Sequence, residues 1–242
     1  MKPAALLFDL DDTLICSPGG DHLQLWVEAV EDHAHHFEHH TAEELYNEIQ
    51  TVADEFWSDP NRHRTGRLVI QHTRRNLVAE ALSNLGYNNN SRAEMLADDY
   101  HHRRENDVVL FDGTLDTLAY FREQPVKLVL ITNGGADVQR SKINKFQLDQ
   151  YFDLVLVEGE FGKGKPEPEV YLHILDALDV KAEHTWIVGD NLEWEIRVPQ
   201  SLGLTGIWHD FRSAGLPSDS QAKPDHIINR IEETIAIYNR WS

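Results

Sequence analysis

Several residue types are scarce in this 242-residue chain, and each scarcity excludes a class of protein. Cys16 is the single cysteine, so no disulfide can form within the chain, which is typical of a reducing compartment. No stretch approaches the ~20 consecutive apolar residues of a membrane span. The apolar run after Met1 and Lys2 is also too short for a signal peptide. We therefore expect a cytoplasmic protein with no membrane partner.

Basic residues are scarce as well. Lys and Arg total 22 against 41 Asp and Glu, which gives a formal net charge of −19. Nucleic acids and anionic membranes are bound by clustered Lys and Arg that neutralise phosphates, so we expect no nucleic-acid partner. The hydrophobic content of 41% is sufficient for a real core. The sequence leaves the oligomeric state open between monomer and homodimer.

An apolar segment at 4–8 runs directly into acidic residues. Asp9, Asp11 and Asp12 stand where a buried strand should leave its sheet. Because side chains alternate along a strand, Asp9 and Asp11 lean the same way. Two converging carboxylates are a candidate Mg²⁺ site or acid/base pair. The alternative is an acidic turn in which Asp12 or Thr13 caps the next helix.

Three later segments accompany this one in a fixed order. The four are 8–14 (FDLDDTL), 129–134 (VLITNG), 162–168 (GKGKPEP) and 187–193 (IVGDNLE). Together they resemble the four signature motifs of the haloacid dehalogenase superfamily, and they span nearly the whole chain. The insert between the first and second motifs resembles the helical cap of the superfamily's phosphatase branch.

Hydrophobic patterning predicts an α/β fold, with a Rossmann-like parallel sheet core and an inserted all-helical cap domain. Strands are predicted at 4–9, 126–131, 154–157, 185–189, 204–208 and 226–228. Helices are predicted between them at 114–122, 136–146, 168–178, 192–202 and 230–240. This alternation indicates βαβ units, whose ligands bind at the carboxyl ends of the strands.

The predicted domains are 1–16 with 106–242 for the core, and 17–105 for the cap. The cap segment contains no convincing strand, and its apolar residues recur on helical faces. Cap helices are predicted at 41–57, 66–86 and 91–104, with a break marked by Asp59-Pro60-Asn61.

The resemblance implies a chemical role for the acidic residues. Asp9 would be the nucleophile that forms an aspartyl-phosphate. Asp11 would protonate the leaving group and later deprotonate the attacking water. Mg²⁺ is the implied cofactor, held by the Asp9 carboxylate, the Asp11 backbone carbonyl and Asp190. The implied function is a Mg²⁺-dependent phosphatase acting on a small phosphorylated metabolite.

The second and third motifs supply candidate phosphate-binding residues. Thr132 ends a strand, and its hydroxyl and the amides of Asn133 and Gly134 are expected to hold phosphate oxygens. The N-terminus of the following helix adds partial positive charge there. Lys165 stands before a proline as the superfamily's lysine does. The resemblance therefore favours Lys165 over Lys163 for offsetting the charges of the nucleophile and phosphate.

The fourth motif departs from the superfamily pattern at two positions. Glu195 stands five positions after Asp190, where relatives commonly have Asp, and we expect its longer side chain to reach the metal's waters from further back. Pro199 stands where many relatives carry a small residue. A proline is tolerated there only in the first turn of a helix or at a kink.

Other reactions are ranked by the same residues. Dehalogenases of the superfamily lack the acid at the position of Asp11, so this residue argues against dehalogenation. Phosphonate hydrolysis would need a cap lysine, and no lysine occurs between Lys2 and Lys127. A phosphoglucomutase-like phosphotransferase would keep the same core residues and remains an alternative, as does a non-catalytic binding module on the same fold.

Overall fold

The computed structural model describes residues 2–18 and 22–241. It divides the chain into two compact units, one made of Met1–Cys16 with Val109–Ser242 and the other of Ser17–Val108. The second unit is thus inserted in the sequence of the first, and it ends at residue 108 where the sequence predicted 105.

The inserted unit is helical in its described residues. Its helices are α1 (His22–His33), α2 (Ala42–Ser58), α3 (Pro60–Leu68), α4 (Ile70–Asn84) and α5 (Asn90–Asp107), and a 3₁₀ turn spans Ala34–His36. Their apolar faces pack into a core of their own, in which Leu45, Val78 and Leu96 are fully buried. This core gives the insert its own source of hydrophobic stabilisation.

The helices after the predicted break in the helical unit were placed wrongly. The sequence put a break at 59–61 and one helix at 66–86, whereas the break is at Asp59, α3 begins at Pro60, and Val69 separates α3 from α4. The Asp59 carboxylate accepts hydrogen bonds from the amides of Asn61 at 2.8 Å and Arg62 at 3.0 Å, and Pro60 fills the first turn. Both residues are favoured at helix starts for these reasons, so the same residues that interrupt one helix begin the next.

The other unit is built on a parallel sheet. In chain order, the described strands of the molecule are β1 (Ala5–Phe8), β2 (Ile15–Cys16), β3 (Val109–Leu110), β4 (Lys127–Thr132), β5 (Leu154–Val157), β6 (Thr185–Gly189), β7 (Thr205–His209) and β8 (His226–Ile228). Within the described residues the main sheet has the order β5-β4-β1-β6-β7-β8, and every neighbouring pair is parallel. The predicted fold class is confirmed.

The strand order brings the four motifs together. Strand β1 lies between β4 and β6, and connections leave it in both directions, which makes this the topological switch point where such sheets bind ligands. The first motif follows β1, the second follows β4 and the fourth follows β6. The short antiparallel pair of β2 with β3, which the sequence did not predict, joins the two segments that flank the insert.

Helices flank the sheet in this unit. They are α6 (Thr114–Arg122), α7 (Ala136–Lys145), α8 (Glu158–Phe161), α9 (Pro168–Leu178), α10 (Val198–Ser201) and α11 (Glu233–Asn239), and a π-helical segment spans Leu192–Arg197. Residues Ile131, Ile174 and Ile187 are fully buried between sheet and helices.

The predicted helix at 192–202 is therefore two segments. A π-helical turn continues into α10, and Pro199 lies in the first turn of α10. The first turn of a helix is one of the two places where a proline was predicted to be tolerated. Among the described residues, no helix combines the length and the apolar character needed to cross a bilayer.

Candidate active site

Asp9 lies where β1 ends, and the residue is 6% exposed. Its amide donates to the Val188 carbonyl oxygen at 3.0 Å, which continues the pairing with β6 and fixes the backbone. One carboxylate oxygen accepts a hydrogen bond from the Thr13 hydroxyl at 3.0 Å, and the other contacts the Lys165 ammonium. Burial raises the pKa of Asp9, while the ion pair with Lys165 opposes that shift. The carboxylate is thus fixed in a dry setting beside one positive charge.

Lys165 is 1% exposed and is held by its backbone. The Asn133 side-chain amide donates to the Lys165 carbonyl at 2.7 Å, and the Lys165 amide donates to the Asn133 side-chain oxygen at 2.8 Å. Burial lowers the pKa of Lys165, but the carboxylates of Asp9 and Glu195 outweigh burial and raise it overall. Lys163 instead binds Glu169 at 2.7 Å on the surface, so Lys165 is the lysine that meets Asp9.

Glu195 also contacts Lys165, which pairs with Asp9, and Glu195 is 1% exposed. Its Oε1 lies 2.7 Å from the Lys165 Nζ, and its Oε2 accepts a hydrogen bond from the Asn191 amide at 2.8 Å. Burial raises the pKa of Glu195 to about 7, against the lowering effect of Lys165. The π-helical turn and the absence of a side chain at Gly189 make room for the longer acid. The contacts of Glu195 are therefore with Lys165 and the backbone.

Asp190 follows the last residue of β6. Its carbonyl accepts a hydrogen bond from the Trp208 indole at 2.7 Å, which fixes its backbone against β7. Burial and the negative charges of Asp9 and Glu195 raise the pKa of Asp190 to about 9. A carboxylate so strongly disfavoured in its charged form marks a place where positive charge would be stabilising.

Asp11 is held by helix α7. Its Oδ2 accepts a hydrogen bond from the Gln139 side-chain amide at 2.7 Å, and its Oδ1 accepts one from Lys142 Nζ at 2.8 Å. The same Gln139 amide also donates to the hydroxyl of Thr132 at the end of β4. One helix therefore contacts both the predicted acid/base and the predicted phosphate-binding hydroxyl.

The loop after β4 is organised differently from the prediction. The sequence assigned the Gly134 amide to a phosphate oxygen, whereas that amide donates to the Glu158 carboxylate at 2.8 Å. Glu158 is 1% exposed, and Gly164 approaches it so closely that a Cβ there would collide with its carboxylate. The Glu158 side chain thus ties the second motif to the chain that leads into the third.

A cavity of about 180 Å³ brings the predicted residues together. A single water needs only about 10–15 Å³ on the same measure, so the cavity has room for a group much larger than one water. It is lined by Asp9, Asp11, Asp12, Thr132, Asn133, Lys165, Asp190, Asn191, Trp194 and Glu195. These include the predicted site residues Asp9, Asp11, Thr132, Asn133, Lys165, Asp190 and Glu195, whereas Gly134 does not line the cavity.

The charges on the cavity fit a divalent cation. Three buried or largely buried carboxylates, Asp9, Asp190 and Glu195, face the single ammonium of Lys165 on its wall. Carboxylate and carbonyl oxygens are the hard ligands that Mg²⁺ takes. Among residues 2–18 and 22–241, no three or more His, Cys, Asp or Glu side chains are arranged to hold a metal. The ligand set predicted from the sequence has two carboxylates and one backbone carbonyl, so a six-coordinate Mg²⁺ there would also need non-protein ligands.

A family model identifies this arrangement. The haloacid dehalogenase-like hydrolase family matches residues 3–203, a range that contains all four motifs. The chain belongs to this family. The predicted family and the prediction of a hydrolytic enzyme are confirmed.

Curated relatives of this hydrolase include named phosphatases. A phosphoserine phosphatase of Thermus thermophilus is 33% identical over 73% of this chain, and the match covers 65% of that relative's length. An N-acylneuraminate-9-phosphatase of Rattus norvegicus is 28% identical over 96% of this chain and 92% of its own length. The second match shows that the similarity extends through the helical unit.

A solved structure shares the fold of this hydrolase. The putative hydrolase YfnB from Bacillus subtilis, bound to magnesium, superposes with a TM-score of 0.72 at 22% identity, and the match covers 99% of this chain and 100% of that one. At this level of identity the comparison shows the fold.

Sequence reasoning missed three residues that support the site from outside the motifs. Glu158, Gln139 and Lys142 each contact a motif residue, but none lies within a motif. The available signal was the i, i+3 spacing of Gln139 and Lys142 on the helix that follows the second motif, since that spacing places both on one helical face. Nothing in the sequence indicated Glu158, because its partner is a backbone amide.

Proposed function

We propose that this hydrolase is a Mg²⁺-dependent phosphatase that hydrolyses a small phosphorylated metabolite through an aspartyl-phosphate on Asp9. The observation that carries the proposal is the buried Asp9 carboxylate, which contacts Lys165 and shares one cavity with Asp11 and Thr132. These are a nucleophile, a fixed cation, a candidate acid and a hydroxyl that can bind an oxygen of the substrate. The phosphatase names of its relatives support the same reaction class.

In the first step, an Asp9 oxygen attacks phosphorus and the ester P–O bond breaks. Asp11 gives its proton to the departing oxygen, which leaves as an alcohol. Lys165 offsets negative charge at the reacting centre, and Thr13 holds the second Asp9 oxygen so that the attacking one keeps its direction. Burial of Asp9 and Lys165 strengthens this pairing, because the surroundings are poorly polarisable.

In the second step, a water attacks phosphorus and the bond from Asp9 to phosphorus breaks. Asp11, now ionised, takes the proton of that water. The products are free Asp9 carboxylate and inorganic phosphate. This role requires the Asp11 side chain to line the cavity and to exchange protons with solvent. Asp11 lines the cavity, and its side chain is 46% exposed.

Asp9, Asp190 and the backbone carbonyl of Asp11 are the residues that would hold Mg²⁺. When bound, Mg²⁺ supplies the positive charge that allows a phosphate dianion to approach the Asp9 carboxylate. The raised pKa of Asp190 supports a cation at this place. The magnesium bound to the solved structure from Bacillus subtilis supports the choice of ion.

We propose that the helical unit 17–108 acts as the cap that selects the substrate. Its position in the sequence, between the first and second motifs, and its separate hydrophobic core support this role. Two of its arginines have partners within the unit: Arg75 forms an ion pair with Asp98 at 2.6 Å, and the buried Arg74 contacts His101. Arg62, Arg64 and Arg67 lie in the same basic stretch of the chain, where Arg67 is 3.4 Å from the His63 ring, and they are candidates for binding a second anionic group of the substrate.

Phosphate release from a panel of phosphorylated metabolites tests the proposal, with Mg²⁺ and with EDTA. Asp9→Asn is expected to lower turnover by at least about a thousandfold, because the amide is a poor nucleophile. Asp219→Asn makes the same chemical change at an exposed position and serves as the matched control. An Asp9→Asn variant with most of the wild-type activity contradicts the assignment of the nucleophile.

The panel also separates the alternative reactions. A phosphotransferase would move phosphate between positions of a sugar phosphate and release little of it, so product analysis distinguishes the two. Uptake of beryllium fluoride without turnover of any ester would instead indicate a non-catalytic binding module. Halide release from a 2-haloacid would contradict the argument from Asp11 against dehalogenation.

A further inference from the structure

Helix α7 holds the carboxylate of Asp11 at both oxygens. Gln139 donates to Oδ2 at 2.7 Å and Lys142 donates to Oδ1 at 2.8 Å. The two side chains also join each other, because Lys142 Nζ donates to Gln139 Oε1 at 3.0 Å. Their spacing of three residues places both on one face of the helix. Gln139 and Lys142, called the α7 clamp below, therefore form one connected unit around Asp11.

The clamp is anchored on its buried side. Gln139 is 2% exposed, and its amide also contacts the hydroxyl of Thr132 at the end of β4. The Lys142 side chain is 11% exposed, whereas that of Asp11 is 46% exposed. An aspartate this exposed would otherwise sample several side-chain rotamers. The buried clamp restricts it to one.

We propose that Gln139 and Lys142 are positioning residues that set the direction of the Asp11 carboxyl toward the leaving-group oxygen. The inference rests on the proposed phosphatase function, in which Asp11 transfers that proton. Proton transfer to a leaving group depends on hydrogen-bond reach and alignment. Gln139 and Lys142 do not line the cavity themselves, so the clamp would act through the alignment of Asp11.

The two clamp residues have different further partners, which separates their expected effects. Lys142 contacts Asp11 and Gln139 in the clamp, while Gln139 also contacts Thr132. Loss of Lys142 leaves the contact of Gln139 with Thr132 in place and should therefore affect mainly the acid. Loss of Gln139 should affect both the acid and the hydroxyl that binds phosphate.

The leaving-group dependence of the wild type and of Lys142→Met tests the role of Lys142. The substrates are ring-substituted phenyl phosphates from p-nitrophenyl phosphate to phenyl phosphate, which have similar shapes and differ in their need for an acid. In Lys142→Met, kcat for phenyl phosphate is expected to fall about tenfold more than kcat for p-nitrophenyl phosphate, with KM nearly unchanged. Lys142→Arg is expected to restore most of the difference, since it keeps a donor at this place.

Inhibition by inorganic phosphate tests the role of Gln139. In Gln139→Leu, the inhibition constant for phosphate is expected to rise about fivefold or more. Its kcat should also fall more for phenyl phosphate than for p-nitrophenyl phosphate, as in Lys142→Met. In Lys142→Met, the inhibition constant is expected to stay within about twofold of the wild type. Circular dichroism checks that each variant folds, and if Gln139→Leu does not fold, Lys142→Met decides the question.

Lys145→Met is the matched control for charge. Lys145 lies on the same helix, is exposed, and stands over the ring of Phe146 at 5.3 Å. Equal losses of Lys142→Met on all the phenyl phosphates, or no loss on any, would overturn the clamp and leave the phosphatase standing. If Lys145→Met also lowered kcat for phenyl phosphate about tenfold more than kcat for p-nitrophenyl phosphate, that would overturn the clamp as well. Absence of phosphate release by the wild type from every ester would overturn the phosphatase and the clamp together.

Discussion

At the scale of single residues, several buried charges of the sheet-containing unit lie together at the cavity. Asp9, Lys165 and Glu195 are each at most 6% exposed, and Asp190 is close enough to feel the charges of all three. Buried charge is costly unless it is paired. Three carboxylates and one ammonium leave excess negative charge, which a divalent cation would offset.

This excess predicts how the stability of the metal-free protein depends on pH. The fold raises the pKa of Asp190 from its ordinary 3.8 to about 9, so between these values the folded state binds more protons than the unfolded state. Stability is then highest below the ordinary pKa and is lost as the pH rises through the folded one. In EDTA, the melting temperature is expected to fall by roughly 3–6 °C between about pH 6 and about pH 9.

Asp190→Asn is the control for this dependence. The amide cannot ionise, so the fall in melting temperature over the same pH range should be clearly smaller in the variant. Saturating Mg²⁺ should also reduce the fall in the wild type, because the cation stabilises the charged carboxylate. An equally steep fall in Asp190→Asn would mean that another group carries the dependence.

At the scale of elements, a π-helical turn adapts the fourth motif to a longer acid. The segment Leu192–Arg197 is π-helical and is capped by Asn191, whose side chain accepts hydrogen bonds from the amides of Glu193 and Trp194 at 3.0 and 3.1 Å. The π-helix occurs mostly as single turns within helices, and these are frequent at functional sites. Here the turn places Glu195 against Gly189 and beneath Lys165.

This packing predicts a specific coupling between Gly189 and Glu195. A Cβ at position 189 would collide with the side chain of Glu195. Gly189→Ala is therefore expected to lower the free energy of unfolding by about 1–3 kcal/mol through overpacking. Urea denaturation of the wild type and variant measures the change.

A double-mutant cycle isolates the collision. In the background of Glu195→Ala, the space next to position 189 is open, so Gly189→Ala should cost much less there. An equal cost in both backgrounds would show that the Glu195 side chain is not what position 189 meets.

At the scale of the whole molecule, repulsion among acidic side chains opposes folding. The formal charge is −19, with 41 acidic and 22 basic side chains. Ion pairs such as those of Arg103 with Asp32 and Asp99 stabilise the folded state, but exposed ion pairs contribute little to stability. Salt screens both effects. Because acids outnumber bases almost two to one, the relief of repulsion should dominate.

Stability is therefore expected to rise with salt. The melting temperature in EDTA should increase by several degrees between about 0.05 M and about 1 M NaCl, as screening shortens the range of repulsion. Asp54 and Glu55 are exposed acids of the helical unit, and replacing both with Lys should weaken the salt dependence. A melting temperature that falls with salt would show that ion pairs outweigh the repulsion.

The fold was predictable because its signals are local. Buried parallel strands are continuous apolar runs and helices carry a 3.6-residue period, so the strand ends at 157 and 189 and the helix 168–178 agree with the structure. The helix that begins at Pro60 was missed because Asp and Pro have the same local chemistry whether they end one helix or begin another.

The sequence by itself determined the family, the sheet with the first, second and fourth motifs at its strand ends, and the acids and Lys165 that it assigned to the site. Only the tertiary structure decided which groups those residues contact: Glu195 with Lys165, Gly134 with Glu158, and Asp11 with α7. The physical reason is separation along the chain. Gln139 is 128 residues from Asp11, so no local pattern encodes their pairing, and only packing of α7 against the first motif creates it.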